Sequence, residues 1–318
     1  MVKNEVLLDM KFSIVTTLFQ SASYINEFYE RTTATAKRLV GDDYEIVFVN
    51  DGSPDNSLDL VIRLTEQDSK VVTVDLSRNF GHHKAMMTGL RHSKGEYVFL
   101  IDSDLEERPE WLETFESQMK HEQCDVVYGV QDFRKGNGFE RWSGQVFYLF
   151  SKMLTGIDLP KNVVTSRLMK RCYVDALLLH QEREVFLLGL WHISGFDQRP
   201  QVIKKLNSSE TTYTIRRKIS LLINSVTSFS NAPLISIFYI GITISLFSLA
   251  LIVYLIFQWA YFETILSGWT SVMASIWLIG GMIISFIGIV GLYLSKVYSE
   301  TKQRPYTIVK KVYAKKQD

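Results

Sequence analysis

Acidic side chains lie at or just after the ends of apolar segments at three places in the chain. Asp102-Ser103-Asp104 follows one such segment, Asn50-Asp51-Gly52-Ser53 follows another, and Asp75 lies near the end of a third. Two carboxylates at positions i and i+2 after a strand can converge on one hard divalent cation, and Mg²⁺ or Mn²⁺ prefers oxygen ligands that it shares with substrate phosphates. The spacing favours a metal site at Asp102 and Asp104, with a solvated acidic turn as the alternative.

Two further groups of titratable side chains are candidates for chemistry. Glu182 and Glu184 lie in the stretch HQEREVF, where a carboxylate can act as a general base or simply begin an exposed helix. His82 and His83 follow Gly81, and a histidine pair suggests a metal centre. No third soft ligand stands at a suitable spacing, so imidazole coordination is not predicted.

The elements that must position these residues alternate between strand and helix. Five short apolar segments are predicted as strands: Phe12–Leu18, Glu45–Asn50, Val71–Leu76, Tyr97–Asp102 and Val126–Val130. Four helices are predicted between or after them: Ile25–Leu39, Leu58–Asp68, Lys84–His92 and Glu110–His121. This alternation indicates an α/β fold with a mostly parallel sheet, in which ligands bind at the carboxyl ends of the strands.

Two long apolar segments lie near the end of the chain. Residues 233–257 and 271–295 each contain 25 residues without a charge. Since about 20 apolar residues cross a membrane, both segments predict transmembrane helices. Buried core helices are the alternative, but helices of this length in globular proteins normally keep a polar face. The connector between the segments lacks Lys and Arg, so the positive-inside rule predicts that both termini are cytoplasmic.

Composition excludes several classes of protein. The chain has 318 residues, of which 47% are hydrophobic and 22% charged, so it can bury a large core and is not predicted to be disordered. No basic face with interleaved aromatic residues precedes the apolar segments, and nucleic acid is therefore not a predicted partner. Cys124 and Cys172 are far apart in sequence, which is typical of a reducing compartment.

The motifs resemble a known enzyme family. The segments VNDGSPDNS, LSRNFGHHKAMMTGLRHSKGEYVFLIDSDLEERPE and VVYGV resemble family 2 glycosyltransferases with the GT-A fold. The segments INSVTSFSNAPL and GIVGLYLSKVYSETKQRPYTIV, with the two apolar segments, resemble the polyprenyl-phosphate branch, which includes bactoprenol glucosyltransferases and dolichyl-phosphate mannose synthase. The resemblance covers about Phe12 to Val309. It implies inverting transfer of a sugar from a nucleotide-diphosphate sugar to a polyprenyl phosphate.

The resemblance also assigns roles to individual residues. Asp51 would contact the nucleotide base, while Asp102 and Asp104 would hold the metal ion and the diphosphate. The loop that contains Arg78, Asn79, Gly81 and Lys84 would lie beside the bound sugar donor, the nucleotide-diphosphate sugar. Arg134 and Arg167 match positions expected near the diphosphate or the acceptor phosphate, and their planar guanidinium groups suit such oxygens.

The resemblance further implies an organisation of the chain. Residues 1–215 would form the GT-A domain, 216–232 a juxtamembrane amphipathic helix, 233–257 and 271–295 the two spans, 258–270 an extracytoplasmic connector, and 296–318 a basic cytoplasmic tail. The enzyme would lie in the cytoplasmic membrane in contact with membrane lipid, with a homo-oligomer as a further possibility.

One departure from the family pattern concerns the nucleotide: the stretch Thr16–Ala22 lacks the acidic pair of many relatives, which normally forms part of the nucleotide contact. Two others leave the acceptor open: Thr165 stands two residues before Arg167, where many relatives have an aspartate, and Thr211-Thr212-Tyr213 replaces a basic stretch near the membrane. A lipid phosphate needs no general base, because it is already anionic. A lipid-linked sugar hydroxyl must lose a proton, for which Glu184 is the predicted catalytic base. A membrane-anchored nucleotide-sugar-binding protein without turnover is a third hypothesis, which the Asp102/Asp104 pair disfavours.

Overall fold

The fold is described from a computed structural model that covers residues 11–131, 162–182, 187–204, 230, 232–262 and 268–315. The chain divides into two compact units. The first contains residues 1–144, 159–213 and 304–318, and the second contains residues 145–158 and 214–303. The end of the chain thus belongs to the first unit, after an intervening segment that belongs to the second.

An eight-stranded sheet forms the centre of the first unit. Its strands, in chain order, are β1 (Phe12–Leu18), β2 (Tyr44–Asn50), β3 (Val71–Leu76), β4 (Tyr97–Leu100), β5 (Val126–Gln131), β6 (Val163–Lys170), β7 (Gln198–Ile203) and β8 (Val309–Ala314). Their spatial order is β7-β5-β6-β4-β1-β2-β3-β8. Strands β4, β1, β2 and β3 run parallel, whereas β6 and β8 are antiparallel to their neighbours. The α/β fold with a mostly parallel sheet is confirmed.

Helices cover both faces of this sheet. They are α1 (Ile25–Val40), α2 (Ser57–Gln67), α3 (His82–His92), α4 (Trp111–Glu122), α5 (Arg171–Leu177) and α6 (Leu187–Ile193). Phe28 of α1 packs edge-on against Phe48 of β2, with ring centroids 6.0 Å apart. On the opposite face α3 approaches so closely that a Cβ at Gly89 would lie 2.5 Å from a methyl group of Val15 and 2.9 Å from one of Val49. Phe48 and Val49 are consecutive residues of β2, and consecutive side chains of a strand point to opposite faces of the sheet. Helices α1 and α3, which contact Phe48 and Val49 respectively, therefore cover opposite faces.

The described part of the second unit contains two long helices, α7 (Ala232–Phe262) and α8 (Trp269–Thr301). The Tyr293 hydroxyl of α8 donates a hydrogen bond to the Ser230 carbonyl oxygen at 2.6 Å. Within the described residues one stretch, Leu278–Thr301, is long and apolar enough to cross a membrane, and Ala232–Ile244 is a shorter apolar stretch. The hairpin of two spans at 233–257 and 271–295 therefore stays a prediction, and residues 216–229, in the predicted juxtamembrane helix, lie outside the described residues.

The predicted basic tail contains a strand that the sequence analysis did not predict. Residues 309–314 pair with β3 in antiparallel orientation. Ahead of this pairing, the Ser77 N–H donates to the Ile308 carbonyl oxygen at 2.9 Å. Part of the segment 296–318 is thus the outer strand of the sheet, next to the strand that ends in Asp75 and Leu76.

Candidate functional site

Asp51 connects two loops at the carboxyl edge of the sheet. It follows β2, is 2% exposed, and its Oδ1 and Oδ2 accept hydrogen bonds from the Phe80 N–H at 2.7 Å and the Gly81 N–H at 3.0 Å. Burial raises the pKa of the Asp51 carboxyl, although these two hydrogen bonds oppose the shift. The structure therefore brings Asp51 to the loop that contains Arg78, Asn79 and Gly81.

Gly52 allows these two loops to approach each other. Its φ angle is +60°, and a Cβ on it would lie 2.4 Å from the Asn79 nitrogen and 2.5 Å from the Arg78 carbonyl carbon. Any side chain at this position would collide with rigid backbone, so the close approach requires glycine. The Arg78 guanidinium lies over the Phe80 ring at 4.2 Å from its centroid, and both Arg78 and Asn79 are exposed. Lys84 lies half-buried in the first turn of α3.

The end of β4 meets the start of α3 through a histidine. His82 Nε2 lies 3.2 Å from Asp102 Oδ1, and His82 Nδ1 lies 2.9 Å from the Thr17 hydroxyl at the end of β1. Burial alone would lower the pKa of His82, but the hydrogen bond to Asp102 and the negative charges of Asp102 and Asp51 raise it overall. The ends of β1 and β4 and the beginning of α3 therefore converge on Asp102.

Asp104 lies two residues further along the same loop and is exposed. Its Oδ1 accepts the Glu106 N–H at 3.0 Å, while the intervening Ser103 is buried and donates its hydroxyl to the Thr17 carbonyl oxygen at 3.0 Å. Burial of Ser103 fixes the loop between the two carboxylates and leaves the Asp104 side chain accessible to a ligand.

The donor atoms of this loop suit a hard divalent cation. Asp102 and Asp104 offer carboxylate oxygens from one short loop, and a magnesium-type ion is commonly held by one or two carboxylates together with substrate phosphates. Within the part of the chain that the structure describes, no group of three or more His, Cys, Asp or Glu side chains is placed to hold an ion. Because such an ion takes its remaining ligands from substrate phosphates and water, the carboxylates of Asp102 and Asp104 fit it.

Glu107 joins the same loop to β6. Its side chain is completely buried, and its Oε1 and Oε2 accept the Thr165 N–H at 3.2 Å and the Ser166 N–H at 2.8 Å. Thr165 thus contacts the acidic loop through its backbone N–H. This contact does not depend on the side chain at position 165, where many relatives have an aspartate.

Arg167 is buried inside the first unit, with 1% of its surface exposed. Its guanidinium lies over the Trp191 ring, and burial lowers its pKa to about 9, against the charges of Tyr173 and Glu107. The structure does not place this guanidinium on the surface of the carboxyl edge, and its contact with a phosphate stays a prediction.

Two predicted site residues, Arg134 and Glu184, lie outside the described residues, so their roles also stay predictions. Glu182, the other candidate base, lies half-buried after α5.

Three residues make contacts at the carboxyl edge of the sheet that were not predicted from the sequence. His82 was considered only as a possible metal ligand, yet it contacts Asp102. Asn50 donates its amide to Asp75 Oδ1 at 2.8 Å inside the sheet. Asp55 accepts hydrogen bonds from the Ser53 hydroxyl at 2.6 Å and the Ala22 N–H at 3.1 Å, and so ties the loop after β1 to the loop after β2. The signal for Asp55 was its place in the motif VNDGSPDNS.

Comparison with known proteins agrees with this arrangement. The family Glycosyl transferase family 2 matches residues 13–178, which is more than half of the chain. A Mycobacterium tuberculosis protein named among putative glycosyltransferases is 48% identical, over 96% of this chain and 89% of its own length.

Two other relatives have names that include a lipid carrier. A prophage bactoprenol glucosyl transferase homolog of Escherichia coli is 30% identical, over 95% of this chain and 99% of its own length. An undecaprenyl-phosphate 4-deoxy-4-formamido-L-arabinose transferase of Pseudomonas fluorescens is 32% identical, over 94% of this chain and 89% of its own length. The α/β sheet, the acidic residues at its carboxyl edge and these matches lead to one conclusion: the chain belongs to glycosyl transferase family 2 and is a glycosyltransferase.

Proposed function

We propose that this glycosyltransferase moves a sugar from a nucleotide-diphosphate sugar to a polyprenyl phosphate at the cytoplasmic face of a membrane, with inversion at the anomeric carbon. This proposal is supported mainly by three loops that meet at one edge of the sheet, those of Asp51, Arg78–Gly81 and Asp102. Together they form a polar surface at the carboxyl ends of the strands, where open α/β sheets bind ligands. The product would serve cell-surface polysaccharide synthesis or glycan modification.

The donor half of the site is built from residues of this chain. The Asp51 turn and the loop it holds would contact the nucleoside, and the exposed Arg78 and the half-buried Lys84 would offer cations to the diphosphate. Asp102 and Asp104 would hold Mg²⁺ or Mn²⁺, which when bound offsets the negative charge that develops on the leaving diphosphate. His82 orients the Asp102 carboxylate through the contact between Nε2 and Oδ1.

The acceptor half rests on the lipid-carrier names of the relatives and on the apolar helix in α8. A phosphate monoester already bears a negative charge at neutral pH, so it attacks the anomeric carbon without a general base. The chain would then supply orientation, with Arg134 and Arg167 as the predicted phosphate contacts.

A second function, extension of a lipid-linked sugar, is supported by two features. Thr165 stands where many relatives have an aspartate, and Glu184 is available in the sequence as a base. The attacking group would then be a sugar hydroxyl, and the product would keep the diphosphate of its acceptor.

Product chemistry separates these two functions. Membranes that contain the full chain are incubated with radiolabelled nucleotide sugars and polyprenyl phosphate, and the organic-extractable product is treated with mild acid. We expect release of free monosaccharide and lipid phosphate. Release of a disaccharide from a product that retains a diphosphate would support the second function and contradict the first.

The proposed membrane topology has its own test. A reporter fused after Asp318 should be cytoplasmic, and one inserted near Ser267 should be extracytoplasmic, because the connector 258–270 lacks Lys and Arg. The reverse result at both positions would contradict the orientation without bearing on the chemistry.

A further inference from the structure

The outer strand β8 contains an irregularity opposite the end of β3. Asp75 pairs with Lys311 and Leu76 pairs with Val309, so Lys310 has no partner in the register. An extra residue of this kind bulges from the strand and redirects its side chain, as β-bulges commonly do beside active sites. The Lys310 ammonium lies 3.7 Å from Asp75 Oδ2.

Asp75 is a poor place for an uncompensated charge. Its side chain is 3% exposed, and among the described residues no hydrogen bond reaches its Oδ2. Burying a carboxylate is costly unless a cation or hydrogen-bond donors lie next to it. The Lys310 ammonium is the ion-pair partner that the structure provides.

The other carboxylate oxygen of Asp75 leads to the donor turn. Asp75 Oδ1 accepts the Asn50 side-chain amide at 2.8 Å, and Asn50 Oδ1 accepts the Ser53 N–H at 3.2 Å. This bonded series, Lys310–Asp75–Asn50–Ser53, ends one residue from Gly52 and two from Asp51. It fixes the orientation of the Asn50 amide, and with it the turn that holds the loop of Arg78.

Contacts before the bulge hold β8 in this position. The Thr307 and Thr88 hydroxyl oxygens lie 2.8 Å apart, and the Arg91 guanidinium lies over the Tyr306 ring at 5.2 Å from its centroid. Both contacts join the end of the chain to α3, the helix that begins with His82. The bulge therefore has a fixed place relative to the turn after β2.

From these contacts we infer that Lys310 is a positioning residue for nucleotide binding. The C-terminal strand β8 supports the turn after β2, which belongs to the proposed nucleotide-binding site, through Asp75 and Asn50. The inference deepens the proposed function and rests on its donor half. It assigns a role in nucleotide affinity to a segment that follows the long apolar helices and that the family match at residues 13–178 does not include.

The test is nucleotide binding by the full chain in detergent, in the presence of Mg²⁺. The diphosphates of uridine, guanosine, cytidine and thymidine are titrated calorimetrically, and the tightest binder is used for the variants. Lys310→Met should weaken binding by about threefold to tenfold, the effect of losing one modest polar interaction, at a temperature at which both chains remain folded. Lys310→Arg should restore most of the affinity.

Lys311→Met is the matched control. Lys311 is the next residue in the same strand and carries the same charge, but its ammonium lies over the Tyr313 ring at 4.4 Å from the centroid. Its substitution should leave nucleotide affinity unchanged. In an Asp75→Asn background, Lys310→Met should have no additional effect, because the two residues act through one contact.

Equal affinities for Lys310→Met and the unsubstituted chain would overturn the inference, as would an equal loss in Lys311→Met. Failure of every nucleotide to bind the unsubstituted chain would overturn it together with the donor half of the proposed function. Nucleotide binding that depends on Lys310, without transfer to polyprenyl phosphate, would support the inference and contradict the proposed acceptor alone.

Discussion

His82 contacts both β1 and the loop after β4. Its Nε2 lies 3.2 Å from Asp102 Oδ1, and its Nδ1 lies 2.9 Å from the Thr17 hydroxyl. With Asp102 as a ligand of the proposed cation, the imidazole is an outer partner that orients this ligand. Loss of such a partner typically reduces metal affinity by about 10–100-fold. We expect His82→Ala to raise the Mg²⁺ or Mn²⁺ concentration for half-maximal activity by this factor.

His83→Ala provides the comparison for that prediction, because His83 is the neighbouring imidazole, is exposed like His82, and has its ring centroid 6.1 Å from that of His82. Titrations of activity against metal concentration should separate the two variants. Identical curves for His82→Ala and His83→Ala would remove His82 from the metal site.

Asp104→Asn tests the proposed metal ligands directly. The amide keeps the size of the side chain but removes the negative charge that attracts the cation. Since the Asp104 side chain is exposed, the variant should fold normally and remain in the membrane. We expect turnover to fall by about 10²–10³-fold, as for loss of a major electrostatic contact to a leaving group. Near-normal turnover of this variant in the presence of EDTA would exclude Asp104 as a metal ligand.

Gly52→Ala should abolish nucleotide binding through a steric clash. Gly41 makes a matched control, since its φ angle is +64° but no atom lies within 4 Å of its added Cβ, in contrast with the backbone of Arg78 and Asn79 at Gly52. Gly41→Ala should therefore cost only the backbone strain, about 1–3 kcal/mol. Nucleotide titration and thermal unfolding of both variants measure the two effects, and normal nucleotide affinity in Gly52→Ala would contradict the geometry of the turn.

Asp55 makes stability depend on pH at the edge of the donor site. Burial opposes its ionisation, but hydrogen bonds from Ser53, Ser57 and Ala22 outweigh burial and lower its pKa to about 2. Because the folded pKa is below the unfolded value of about 3.9, the stabilisation is complete above pH 4 and is lost as the pH falls towards 2.

Asp55→Asn should therefore reduce the dependence of stability on pH between about 4 and 2, the window set by the two pKa values. Asp59→Asn, in the exposed first turn of α2, is the comparison. Near-ultraviolet circular dichroism during acid titration in detergent follows the loss of tertiary structure. An equal change in slope for both variants would contradict the role assigned to Asp55.

Glu184→Gln distinguishes the acceptors by their need for a base. If the acceptor is a lipid phosphate, no proton is removed and the rate should stay within a small factor of the original. If it is a sugar hydroxyl and Glu184 is the base, the rate should fall by about 10²-fold or more. Glu182→Gln serves as the neighbouring control in the same assay, and a large loss in Glu184→Gln alone would move the assignment to the second function.

Apolar pattern was sufficient to predict five of the six inner strands, β1 to β5, but not β6, whose apolar residues are interrupted by Ser166 and Arg167. Strands β1 and β3 have the predicted ends, because both are buried and bounded by polar turns. The predicted strand Tyr97–Asp102 ends earlier, at Leu100, so Asp102 lies beyond the ladder in the loop that contains Asp104. The acidic residues of the site were accessible to sequence reasoning because they directly follow these apolar segments.

The outer strands were missed for a physical reason. β7 contains exposed Arg199 and Pro200, and β8 contains exposed Lys310 and Lys311, so neither has an apolar face that a periodicity reveals. Their pairing is decided by partners far away in the chain, as β8 with β3 shows. The contact of His82 with Asp102 has the same origin, since it exists only after α3 packs against the sheet.

The pairing of β8 with β3 also dictates an order of events during synthesis. The ribosome makes β3 early and β8 only after α7 and α8. Until β8 has left the ribosome, β3 remains an outer strand whose backbone groups are open to pairing with other chains. The nascent domain therefore completes its sheet only after both long apolar helices have emerged, and truncation before Val309 would leave a strand edge prone to aggregation.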